Sequence, residues 1–108
     1  MIAAGSLTKR VTLESPTNTP DPYGEQGQTW GAVAEVWAGI DPVSGREVEL
    51  AKSYAPTVSH RVTIRYRPGV TSSMRVRYGP RLFFINGVID PHEAHEHLIL
   101  FCTEGGAE

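Results

Sequence analysis

Cysteine is almost missing from this chain. Cys102 stands alone in 108 residues, which excludes an internal disulfide framework and a cysteine-built zinc site. Long apolar runs are missing too, and none approaches the roughly 20 residues a membrane-spanning helix needs. The opening "MIAAGSLTKR" has no apolar core segment ahead of its basic residues, so export is not expected and synthesis in the cytoplasm is. The sequence also contains no G-x-S-x-G elbow and no glycine loop that could cradle phosphate. Glu47 and Glu49 point different ways on a helix, so they do not form a catalytic carboxylate pair. Cys102 lies in "LILFCTE" on the same side as Leu98 and Leu100, as a buried small hydrophobe would. Neither an enzyme nor a cofactor-binding protein is expected.

Negative charge is absent where it is most noticeable. From Thr57 through Arg81 there are six arginines and no acidic residue, although the formal net charge is only -2. Hydrophobic content of 40% and charged content of 20% are ordinary for an ordered domain. At this length residues 1–108 form one small domain with little stability to spare.

Strand signals dominate. "KRVTLES" (9–15) alternates, with Val11 and Leu13 inward. "PTNTPDPYGEQGQ" (16–28) holds three prolines and two glycines and reads as a long exposed loop. "TWGAVAEVWAGIDPV" (29–43) reads as a long strand anchored by Trp30 and Trp37, in the core or at an interface. In "SGREVELAKSYAP" (44–56), Ser44 and Glu47 have capping-box spacing and Pro56 is a stop, which predicts one short helix. Strands follow at 57–67, 74–78, 81–90 with a bend at Asn86-Gly87, and 95–104; 104–108 is a frayed tail. Short strands at this spacing predict a mainly β fold: a small antiparallel barrel or sandwich of about six strands, one short α-helix and a long N-terminal loop.

Two groups of residues invite a functional reading. His92, His95 and His97 with Glu93 and Glu96 in "HEAHEH" are possible metal ligands, but the helical H-E-x-x-H register is missing and a solvated turn explains the segment, so no metal is expected. The other is "HRVTIRYRPG" (60–69). Val62, Ile64 and Tyr66 fall on one side of an extended chain, and Arg61, Thr63, Arg65 and Arg67 on the other. If this strand pairs with "MRVRY", then Arg75 and Arg77 join one cationic patch. A solvated face, a polyanion site and a protein interface are all open. The inward aromatics leave no stacking platform for bases, whereas arginine forks favour carboxylates across interfaces. The interface reading is adopted, with Arg61, Arg65, Arg67, Arg75, Arg77, Trp30 and Glu35 as its residues. Glu35, Glu47 and Glu49 are the carboxylates expected to meet the arginines.

The ordered set of segments resembles the head–tail joining family of tailed bacteriophages, also called head-closure, stopper or head–tail adaptor proteins. It is carried by "AGSLTKRVTLESPT", "DPYGEQGQTW", the run from "VWAGIDPVSGREVEL" through "RYGPRLFFINGVID", and "HLILFCTE". One departure is "VSHRVTIRY", where threonine often precedes the histidine. The resemblance implies a non-enzymatic neck protein of a virion, a small β-barrel that forms a ring (dodecamer or hexamer) under the portal. Such a ring closes the DNA exit channel and docks the tail. Its partners would be sister copies, a portal or adaptor protein above and a tail or tail-terminator protein below. Double-stranded DNA would pass without sequence-specific binding, and no membrane is involved. The connection from Asp41 to Thr57 would project into the channel, with Ser44, Gly45, Arg46, Glu47, Glu49 and Lys52 as the gating segment. The alternatives are a tail-completion or other neck barrel, or a small barrel that binds single-stranded nucleic acid.

Overall fold

The computed structural model describes residues 7–20 and 26–105. Alternating side chains decide the architecture. Val11, Leu13, Val62, Ile64, Val76, Phe83, Ile85, Leu98, Leu100 and Cys102 are all buried, and each comes from a strand whose neighbouring residues face outward. An apolar face on every strand can be buried without leaving strand edges if the sheet curls on itself. The chain does this. Strands β1 (Lys9–Pro20), β2 (Gln26–Pro42), β3 (His60–Arg65), β4 (Arg75–Tyr78), β5 (Arg81–Ile89) and β6 (His97–Gly105) close an antiparallel barrel in the order β1-β2-β3-β6-β5-β4. The expected bend in β5 is a register shift between Ile85 and Gly87, where Asn86 is left unmatched and donates instead to the Thr103 hydroxyl at 2.6 Å.

The segment 16–28, expected as a loop, is mostly ladder. β1 continues to Pro20 and β2 begins at Gln26, paired from Thr17↔Thr29 to Pro20↔Gln26; residues 21–25 lie outside the described residues. Prolines survive here because β1 meets β4 only from Thr12 to Glu14. Beyond that point β1 is an edge strand, where a missing N–H costs little. The result is a two-stranded arm leaving the barrel, and the molecule measures 49 × 27 × 26 Å.

The helix α1 is shorter than expected, Glu47–Lys52. Ser44 does not cap it. Gly45 takes a left-handed φ of 61°, and the Ser44 and Gly45 carbonyls accept from the Glu47 and Val48 N–H groups in a turn. The cap position falls to Arg46, which makes no side-chain cap bond. Glu47 turns away to Arg61 instead. A six-residue helix is marginal alone and depends on packing. It lies on the outside of the barrel, where Ala51 is buried and the Tyr54 ring sits 5.4 Å from that of Phe101.

Gly87 makes this seat possible: a Cβ there would stand 2.3 Å from a Tyr54 ring atom. Cys102, on the inner face, is fully buried, and desolvation pushes its thiol up to about 12. It is therefore a protonated core residue without nucleophilic character.

Gly87→Ala should displace Tyr54 and undock α1 while the barrel survives. The expected global loss is about 1–2 kcal/mol, with hydrogen exchange accelerated at residues 47–55 and unchanged in β3 and β6. Unchanged exchange in the helix would show that the ring and the glycine are not coupled.

Candidate functional site

Barrel closure separates the arginines that the sequence groups together. β3 pairs with β2 and β6, and β4 pairs with β1 and β5. The strands that carry the arginines are three steps apart in either direction around the barrel, so they stand on opposite walls. The expected single patch does not form. Adjacent strands in sequence usually pair; here residues 66–74 carry the chain to the far side.

The β4 wall holds a cluster that the sequence does not announce. Glu14 follows a register shift between Leu13 and Glu14 and lies opposite Arg75. Its side chain is 3% exposed, with one oxygen 2.6 Å from Arg75 Nε and the other 2.7 Å from Arg77 Nη2. The Arg75 guanidinium also lies 4.2 Å from the Trp30 ring, and Trp30 meets Phe84 edge-on at 6.1 Å. A carboxylate can be held out of water when charge-assisted bonds occupy both oxygens. Trp30 is thus a lid over an ion pair. Burial of Glu14 has no signal in the sequence, since its neighbours across the barrel are set by topology.

On the β3 wall, Arg61 reaches Glu47 of the helix at 2.7 Å and Asp41 at 3.6 Å. Glu35 pairs with Arg10 at 3.3 Å. Arg81 grips Glu104 through two bonds of 2.8 and 3.2 Å. That contact holds the Glu104 carboxyl below the ordinary carboxylate range, and Arg81 rises in turn. Arg10, Arg61, Arg75, Arg77 and Arg81 are thus all engaged inside the chain. Among the described residues, none of these carboxylates pairs with Arg65 or Arg67. Of the residues expected to gate, Ser44, Gly45 and Arg46 are exposed before the helix and Glu49 and Lys52 are exposed on it, while Glu47 is half-buried.

Arg65 lies beside the most exposed large apolar surface of the barrel wall. Trp37 is 51% and Val33 47% exposed, and Leu7, Thr8, Trp37 and Arg65 line a shallow groove of about 440 Å³. The Arg10 guanidinium covers part of the Trp37 ring at 5.3 Å. A signal for this surface exists: Val33, Glu35 and Trp37 share one parity, and the charge of Glu35 marks that side as the wet one.

The histidine segment forms a tight turn. His92, Glu93 and His95 all adopt positive φ. Asp90 accepts the His95 backbone N–H at 3.1 Å and meets its Nδ1 at 2.5 Å, and Tyr66 stacks on the imidazole at 4.5 Å. Among the described residues no group of three or more His, Cys, Asp or Glu is placed to hold a metal.

The phage head completion protein family matches this chain over residues 2–105. The solution structure of protein SF1141 from Shigella flexneri 2a is similar over 99% of this chain and 100% of that one, with 28% identity and a TM-score of 0.77. A chain in the virion of a native gene transfer agent particle is similar over 94% of this chain and 97% of its own, with 23% identity and a TM-score of 0.63, a likeness of fold. No curated protein matches the chain.

Glu14→Ala leaves two guanidinium groups facing a desolvated site, and about 3 kcal/mol of stability should be lost. Arg77→Ala removes the half-exposed partner and lets water reach the other Glu14 oxygen, so it should cost less, about 1–2 kcal/mol. Urea denaturation of the two variants checks this; equal losses would mean the carboxylate is not the centre of the cluster.

Proposed function

We propose that this chain, which belongs to the phage head completion protein family, forms a ring beneath the portal that closes the DNA exit channel and receives the tail. At the coarser level the chain is a structural component of a phage or phage-like virion, at the junction of head and tail. The family match along nearly the whole chain carries the reading, and the closed barrel is consistent with it. A ring made by rotation joins one side of a subunit to a different side of the next. Arg65 and Arg67 suit such a contact, because among the described residues they are not held by the carboxylates that bind the other arginines, and exposed Glu49 of a neighbour is their candidate partner. Arg61 and Glu35 are each paired within the subunit, and Arg75, Arg77 and Trp30 gather around Glu14 on the opposite wall, so the proposed contact rests on Arg65 and Arg67. Engagement of most arginines by carboxylates of the same chain disfavours a polyanion-binding face and supports assembly over nucleic-acid binding.

The segment Ser44–Lys52 is proposed as the moving part. It rests on the barrel through Ala51, Tyr54 and the Glu47–Arg61 pair, and elements with few buried contacts open at the lowest free energy. Tying α1 covalently to β6 should give filled heads that retain their DNA when triggered. Normal ejection from such particles would remove the gating role.

The assembly reading is tested by genetic removal of the chain and complementation. Heads without it should package DNA, leak it and stay tailless. The Arg65→Ala, Arg67→Ala double variant should fold normally yet restore tailed particles at least tenfold less well than the unaltered chain. Tailed, DNA-filled particles formed without this chain would overturn the role itself.

A further inference from the structure

β2 is paired on one side along most of its length and on the other side only at its end. β1 accompanies it from Gln26 to Ala38, while β3 joins it only from Ala38 to Pro42. Among the described residues no strand lies along the second edge of β2 between Gln26 and Trp37. A bare edge offers a row of unpaired N–H and C=O groups, and chains usually blunt it. The free edge of β1 in the arm is blunted by Pro16 and Pro20, whereas β2 has no proline between Gln26 and Trp37. The bulge leaves Val33 unmatched, since Leu13 faces Ala34 and Glu14 faces Ala32. The stretch Ala34–Trp37 is therefore the uninterrupted run next to β3.

We propose that this edge of β2 accepts an extended segment of a different virion protein as an added strand. This rests on the structural role argued above. The incoming strand takes the line that β3 vacates after Ile64, whose partner is Ala38. Its backbone pairs with Ala34–Trp37, its apolar side chains lie over exposed Val33 and Trp37, and a carboxylate at its end meets Arg65 in the groove. Strand addition of this kind draws affinity from main-chain bonds and specificity from alternate side chains. Geometry argues against a second copy as the occupant. The edge of β1 carries prolines, and two β2 edges pair antiparallel only about a two-fold axis, which a ring of rotated subunits does not supply.

The experiment compares hydrogen exchange at Ala34–Trp37 in the isolated chain and in purified particles, with a photo-crosslinking amino acid at position 33. The expected result is exchange slowed by about a hundredfold in particles and capture of a different virion protein by the crosslinker. Fast exchange in particles that contain the chain would overturn the added strand and leave the structural role standing. Capture of a sister copy, or slow exchange already in the isolated chain, would overturn it as well. Particles devoid of the chain would overturn both readings.

Discussion

The barrel closes through three residue pairs, Thr12–Glu14 of β1 against Arg75–Arg77 of β4, the shortest ladder in the sheet. The buried carboxylate of Glu14 lies at this seam and holds both arginines of the partner strand. Three residue pairs are a weak closure for a chain of this size, and a charge placed out of water is costly unless fully paired. The two facts explain each other. Closure brings the guanidinium groups within reach, and their bonds to Glu14 make any other register leave a naked charge. The ion pair therefore specifies where the sheet closes, whatever it adds to stability.

The arm follows from the same seam. Once β1 has passed Glu14, no described strand lies on its outer side, so β1 and β2 leave the barrel as a two-stranded arm. A two-stranded ribbon is marginal in water. It is supported here by Trp30, whose ring lies against Arg75 and Phe84 at the base of the arm, and further out by the Thr17–Thr29 hydroxyl bond across the strands. The seam, the tryptophan lid and the arm are one unit. The helix on the opposite wall is a separate and looser one, seated on Phe101 above Gly87.

Much of the barrel was legible because alternation is a local property. Val62 and Ile64 inward with Arg61 and Arg65 outward needs no knowledge of neighbours, and neither does burial of Leu98, Leu100 and Cys102. Three features were hidden, each for a physical reason. The arm was taken for a loop because proline and glycine composition does not distinguish a loop from an edge ladder. The helix cap was misplaced because Ser44–Glu47 spacing is outweighed by the left-handed turn at Gly45. A single arginine patch depends on pairing between β3 and β4, and their order in the chain does not reveal that closure puts them on opposite walls. Side chains on the correct face of the wrong wall meet different partners, and Glu14 could not be found without the closure.

Charge use then separates what the molecule keeps from what it offers. Guanidinium groups that stabilise the subunit are bound by Glu14, Glu47, Asp41, Glu35 and Glu104. Among the described residues none of these carboxylates reaches Arg65 at the end of β3, which lies beside exposed Trp37 and an edge of β2 that no described strand covers. A small domain gains nothing in isolation from a wet indole beside a ladder edge that no described strand covers. The indole and the edge are liabilities in water and assets once covered, since apolar area contributes roughly 25 cal/mol per Å² when buried and edge amides lose their exposure together. The fold is thus self-sufficient on its seam wall and incomplete on the wall of β2 and β3. That asymmetry suits a subunit whose surroundings are other proteins rather than solvent.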